Sequence, residues 1–195
     1  MAGCSSFKSY IGVTMDLEIK KIEQMLLKKE EEFDNIHSQT RIVVRNCSNA
    51  IKSIHGKDLK QAKKYIKEAE DELSKLMKFE EEFKSHIHHI LQEYAEAKII
   101  LAIIEDMRIP TFEDLKMPPE PYLTALLDSI GEIKREMYES LRHGDKKSAE
   151  KYFELMENIY DELLPLRFSN SVLPEFRRKQ DKVRMQIEQA RGELL

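Results

Sequence analysis

Apolar residues recur at steps of three and four along nearly the whole chain, the period of helices that bury one face. Ile22, Met25, Phe33, Ile36, Val43, Cys47 and Ile54 keep that rhythm. They predict one long helix over about 15–54, closed at His55-Gly56 with Gly56 as its left-handed cap. Leu59, Ala62, Ile66, Ala69, Leu73 and Leu76 mark a second helix. Phe83, Ile87, Ile90, Tyr94, Ala97, Leu101 and Ile104 mark a third, running from about Phe79 to Met107. Pro110 stops it, and Pro118, Pro119 and Pro121 keep the connector irregular. Thr111-Phe-Glu-Asp114 opens like a capping box and predicts a short helical turn.

A fourth helix is expected after Pro121, along Leu123, Leu126, Ile130, Ile133 and Met137 to Arg142. His143-Gly144-Asp145 is the following turn, and Ala149, Tyr152, Met156, Ile159 and Leu163 carry a fifth helix. Leu173, Phe176, Val183, Ile187, Ala190 and Leu194 carry the last, with polar Gln180 inside a seam that suits a helix–helix interface. The fold class is therefore all-α, an antiparallel bundle of about six to seven helices. Residues 15–195 read as one helical domain and residues 1–14 as a flexible extension, Met15 being a second possible start.

Composition narrows the function classes. Six Gly and six Pro in 195 residues are too few for a turn-rich β protein. Thirty-two Lys and Arg against 36 Asp and Glu leave a formal charge of −4, so any basic surface is local. Two cysteines, Cys4 and Cys47, give no disulfide framework and fit a reducing cytoplasm. No apolar run reaches membrane-spanning length, and the first residues lack the form of a signal peptide.

Four carboxylates change the picture. Glu93 and Glu96 open a stretch that turns apolar on nearly every face, and Asp128 and Glu132 lie among small residues. Spacings of three and four put each pair on one side of its helix, where like charges repel. Lysines such as Lys84, Lys98 and Lys134 or plain exposure answer this as well as a divalent ion does, and the spacing decides nothing between them. Two helices each offering two carboxylates is nonetheless how a bundle builds a hard-cation site. All-oxygen ligands favour Mg2+ or Mn2+, and the absence of Glu-x-x-His argues against a di-iron site.

Other constellations are weaker. His86, His88 and His89 do not place three rings on one side of a helix as a zinc site requires. Lys84, His86 and His88 precede Glu93 by about one to three turns and serve either as phosphate contacts or as a solvated face. The clusters Lys60/Lys63/Lys64/Lys67 and Arg177/Arg178/Lys179/Lys182/Arg184 read as amphipathic helix surfaces, and the Met residues, Met25, Met77, Met137 and Met156 among them, as core filler. No Gly-rich phosphate loop, G-x-S-x-G or CxxC occurs.

Leu91-Gln-Glu-Tyr-Ala-Glu-Ala97 is similar to the LQEYxEA segment of the translin-associated factor X branch of the translin family. Pro121-Tyr-Leu-Thr-Ala-Leu-Leu-Asp-Ser-Ile-Gly-Glu-Ile-Lys-Arg135 resembles the family's DYLxGxxDLxGELxR segment. His143-Gly-Asp145 with Ile159-Tyr-Asp161, and Arg177-Arg-Lys-Gln-Asp-Lys182, resemble its NGD…VYD and RxKYDxLK stretches. The resemblance covers most of residues 80–190. It departs at Pro121, where the family has Asp, and in the short connector 108–121, which suits a compact archaeal-type form.

The resemblance implies a function. Positions matching Glu93, Glu96, Asp128 and Glu132 form the Mg2+-dependent ribonuclease site of the factor X branch, with Mn2+ as an alternative ion. Lys84, His86, His88 and Arg135 fall in the segments that carry candidate nucleic-acid contacts. The family assembles into closed hollow oligomers, often octamers, that hold single-stranded RNA or DNA inside. The expectation is a cytoplasmic homo-oligomeric endoribonuclease acting on single-stranded RNA. The alternative is a non-catalytic nucleic-acid-binding shell like translin proper, and a third is a purely structural scaffold.

Overall fold

The computed structural model describes the backbone at residues 9–10 and 13–14, and residues 17–194 in full. Most of the expected extension 1–14 lies outside the described residues. The chain divides into two compact units, Met1–Ser38 and Gln39–Leu195. The first contains a two-residue antiparallel ladder, β1 (Ser9–Tyr10) with β2 (Val13–Thr14), and the first half of α1 (Ile19–His55). Ile22, Met25 and Leu26 in that half are exposed, so Met25 is not the core filler expected of it.

The second unit holds the rest of α1 and then α2 (Leu59–Leu76), α3 (Lys84–Ile104), α4 (Pro119–Arg142), α5 (Lys146–Leu163) and α6 (Phe176–Leu194). The all-α expectation holds. Within this unit, Val43, Cys47, Ala50 and Ile54 of α1 are fully buried, at the helical spacing the sequence shows. The central element is α4, which packs against α3, α5 and α6, while α2 packs on α3 and α5 on α6. Its buried face is broader than the seam suggests, with Leu127 fully buried and Leu123 and Leu126 only half so.

Local chemistry sets the ends of these helices. Gly56 is not the left-handed residue at the close of α1; Lys57 is, at φ 61°. Asp58 N–H donates to the Ser53 carbonyl at 2.9 Å, which closes the turn one residue later than the glycine predicts. The penalty for a side chain in that conformation is offset where the Lys57 ammonium meets Glu136 at 2.6 Å. Asp58 then caps α2 by accepting from Gln61 N–H at 3.0 Å.

The turn between α4 and α5 repeats the design with a glycine in place: Gly144 has φ 76°, and Asp145 accepts from Ser148 N–H at 3.0 Å. A Cβ at Gly144 would meet nothing within 4 Å, so Gly144→Ala costs only backbone strain. We expect a loss of about 1–2 kcal/mol and a melting point lower by several degrees, read by thermal denaturation.

α3 starts at Lys84 rather than Phe79, because a 3-10 turn (Met77–Phe79) intervenes. It ends at Ile104, where Asp106 turns left-handed at φ 54°. Thr111–Asp114 makes the reciprocal bonds of a capping box, Thr111 N–H to Asp114 at 2.8 Å and Asp114 N–H to Thr111 Oγ1 at 3.2 Å, yet the segment remains a turn. α4 starts two residues before Pro121, since a proline in the first turn of a helix forfeits no intrahelical bond. Gln180 of the α6 seam is buried and donates to the Leu163 carbonyl at 2.8 Å, satisfying an end of α5.

Candidate acidic site

Glu93 and Glu96 on α3 and Asp128 and Glu132 on α4 line one cavity of about 380 Å3. The adjoining face of α6 adds Lys179, Lys182, Val183 and Gln186, and Leu127 and Gly131 complete the lining. The side of α4 turned from its main seam is thus the wall of a cleft. Gly131 keeps that wall low; a Cβ there would lie 3.5 Å from the Gln186 amide nitrogen.

The two α4 acids already have partners. Asp128 accepts from the Gln92 amide at 2.6 Å, and the same oxygen forms a short ion pair with the Lys179 ammonium. Glu132 lies 2.5 Å from His55 Nε2, and Glu136, one turn on, lies 2.5 Å from His55 Nδ1 and 2.6 Å from Lys57 Nζ. Burial opposes the charge of His55, yet its bonds to Glu132 and Glu136 outweigh it and raise its pKa above the ordinary 6.5. An imidazolium donating from both nitrogens is the state this geometry selects. The bond to His55 in turn holds the Glu132 carboxyl below the usual carboxylate range.

Glu93 and Glu96 are held differently. Neither makes a hydrogen bond or ion pair among the described residues. Burial first, then Asp128, Glu93 and Glu132, pushes Glu96 up to about 8, and burial with Asp128 raises Glu93. Buried Cys47 is pushed up to about 12 by burial and then by the same two acids, so its thiol is inert. The cavity is short of positive charge, and its donors are all oxygens, which fits a hard divalent cation. As the side chains stand, no three His, Cys, Asp or Glu groups are gathered to hold an ion among the described residues. Asp128 and Glu132 are turned to Lys179 and His55 instead.

A carboxyl raised to about 8 favours the fold only while neutral. Its contribution is complete below the unfolded value of about 4.3 and is lost as pH rises through the folded one. Glu96 faces Glu93, Asp128, Glu132 and Lys179. Glu96→Gln is therefore expected to match the parent near pH 4 and to gain up to about 5 kcal/mol above pH 8. Denaturant titrations in chelator across that range check the sign.

The pattern of the translin family matches residues 14–190. An uncharacterised protein of the archaeon Methanocaldococcus jannaschii is 30% identical over 190 residues, covering 95% of this chain and 85% of that one. The chain belongs to the translin family. Two solved relatives share the fold. AfC3PO in complex with duplex RNA superposes with TM-score 0.80 at 26% identity, over 91% of this chain and 95% of that one. Apo-NeC3PO superposes with TM-score 0.81 at 27% identity, over 92% and 97%.

The other residues singled out in this translin-family chain are dispersed. Lys84 and His88, with His89, line a second cavity beside the first, and Lys84 lies 3.3 Å from Glu120 and His88 3.2 Å from Glu80. His86 is not in that lining; its ring lies 3.3 Å from Ser85 Oγ. Arg135 is exposed, 3.7 Å from Glu132 at the outer edge of the acidic site. The pattern in the sequence did not point to His55, Lys57, Gln92 or Glu136, and Lys179 and Lys182 passed for surface charge. One signal was available: Glu136 continues the Asp128–Glu132 stripe by one turn, and Lys179, Lys182, Val183 and Gln186 share one face of α6.

Proposed function

We propose that this translin-family protein is a Mg2+-dependent endoribonuclease that cleaves single-stranded RNA within a hollow homo-oligomer, an octamer, in the cytoplasm. The observation that carries the reading is one cavity onto which four acids of two helices and two lysines of a third all open. Glu93, Glu96, Asp128 and Glu132 would hold the ion, Mg2+ or Mn2+. Once bound, such an ion supplies Lewis-acid stabilisation of phosphate charge and makes water a stronger nucleophile at neutral pH.

The chain itself supplies orientation and charge. Lys179 and Lys182 offer a phosphodiester a cationic edge in an otherwise repulsive cavity. His55, clamped between Glu132 and Glu136, fixes the direction in which Glu132 presents its carboxylate. That AfC3PO was solved with duplex RNA supports RNA as the ligand class. Among the described residues no helix is long and apolar enough to cross a membrane.

A second reading, a non-catalytic RNA-binding shell, is favoured by one observation: among the described residues no ion-ready group of three ligands stands assembled. Purified protein incubated with single-stranded and duplex RNA in Mg2+, Mn2+ or chelator decides between the two. Metal-dependent cuts in the single strand support the nuclease. Salt-sensitive RNA binding without cleavage in either metal supports the shell. Mass measurement in solution, against the 23.0 kDa of one chain, tests the octamer.

A further inference from the structure

The second cavity, about 450 Å3, follows the acidic one along the same two helices. On α3 the stripe Ser85, His88, His89 and Gln92 leads on to Glu93 and Glu96; on α4 the stripe Glu120 and Thr124 leads on to Asp128 and Glu132. Eight residues separate Ser85 from Glu93 and Glu120 from Asp128, so the two cavities lie about 12 Å apart at the rise of an α-helix. Gln92 stands at the junction, lining the second cavity while its amide donates to Asp128 in the first. The segment Ser171-Val172-Leu173-Pro174, between α5 and α6, forms the remaining wall, where Leu173 is buried and the Val172 side chain is 60% exposed.

We propose that this second cavity is a subsite for a nucleobase of the RNA strand whose phosphate lies at the four acids. The inference rests on the ribonuclease reading for its register and deepens it by naming what recognises a single strand. The charges in the cavity select a base over a phosphate. Its one lysine, Lys84, is paired with Glu120, and the backbone N–H of Glu120 together with Lys84 holds that carboxyl below the usual carboxylate range. A phosphate entering here would meet an ionised carboxylate and a lysine already paired with it.

The groups that remain suit a flat, neutral ring. The imidazoles of His88 and His89 and the apolar Val172, Leu173 and Pro174 give it faces to stack on, while Ser85 and Gln92 offer hydrogen-bonding groups for its edge. His88 is held in place by Glu80 at 3.2 Å. A duplex keeps its bases stacked inside the helix, so only an unpaired strand can place one in such a cavity.

The full chain, kept in chelator so that no cleavage is needed, is titrated with adenosine 5′-monophosphate, uridine 5′-monophosphate and ribose 5-phosphate by ligand-observed NMR. A nucleobase subsite binds at least one nucleotide about tenfold or more tighter than ribose 5-phosphate. His89→Ala and Val172→Asp, both at exposed positions, are each expected to remove most of that preference while leaving ribose 5-phosphate unchanged. Equal binding of ribose 5-phosphate and both nucleotides overturns the proposal, as does a preference that survives both substitutions. Circular dichroism verifies that each variant is folded, and His89→Ala alone suffices if Val172→Asp is not. A protein that shows the preference but never cuts RNA in Mg2+ or Mn2+ keeps the subsite and loses the nuclease.

Discussion

Asp128→Ala is expected to lower Mg2+-dependent RNA cleavage by a factor of about 10^2–10^3 or more while RNA binding holds or strengthens. The opposite signs follow from what Asp128 touches. Its carboxylate is one of four facing the cavity, and removing it takes away one of the oxygens a hard cation would need. The same carboxylate is the ion-pair partner of Lys179. Without it Lys179 is free to meet a phosphate, and the cavity repels the RNA backbone less. Lys179→Ala reverses the second effect, weakening RNA binding and flattening its salt dependence by close to one charge.

Single-turnover cleavage and fluorescence anisotropy at several salt concentrations separate the two effects. Glu93→Ala makes a cleaner control for the metal role, because Glu93 makes no direct ion pair among the described residues and feels His89 and Lys179 only through space. Cleavage by Asp128→Ala at the parent rate would remove the four acids from the mechanism.

The helices were legible because each buries a face, and burial writes a period into the sequence. Val43, Cys47, Ile54, Ile87, Ile90 and Ile133 lie at the expected places in the core. Boundaries were less legible where a tertiary contact decides them. Gly56 is the residue that backbone freedom favours for the left-handed turn, yet Lys57 takes it, anchored to a carboxylate 79 residues away. In the site, the four acids stand out by local spacing, but their counter-charges do not. His55 is 77 residues from Glu132 and 81 from Glu136, and it ends a helix where nothing local marks it. Residues 28–31, a run of charges, are exposed, whereas Glu80, in a similar run, is half-buried and holds His88.

Glu136→Ala is expected to be among the most destabilising single substitutions in the chain, at about 3–5 kcal/mol. Glu136 is only 4% exposed. One of its oxygens faces His55 at 2.5 Å and the other Lys57 at 2.6 Å. Its removal leaves the buried imidazolium with half its compensation and frees Lys57 from the contact that offsets its left-handed backbone. In a chain of 195 residues this corresponds to a melting point lower by roughly 10 °C. Lys57→Gly, by contrast, loses an exposed ion-pair arm but relieves the backbone at φ 61°, so the two changes nearly cancel.

The pH dependence tells this cluster from simple loss of packing. Glu132 and Glu136 have folded pKa values below the unfolded one, so their contribution is present above about pH 4.3 and lost as pH falls through the folded values. His55 is raised, so its contribution is complete below about 6.5 and is lost as pH climbs through its folded value. The three charges cooperate fully only between those limits. The Glu136→Ala penalty should therefore peak near pH 5–6 and shrink as pH climbs through the folded value of His55. Urea titrations of parent and variant at pH 5.5 and pH 9 read that difference, and a penalty flat with pH would mean that shape, not charge, is what Glu136 supplies.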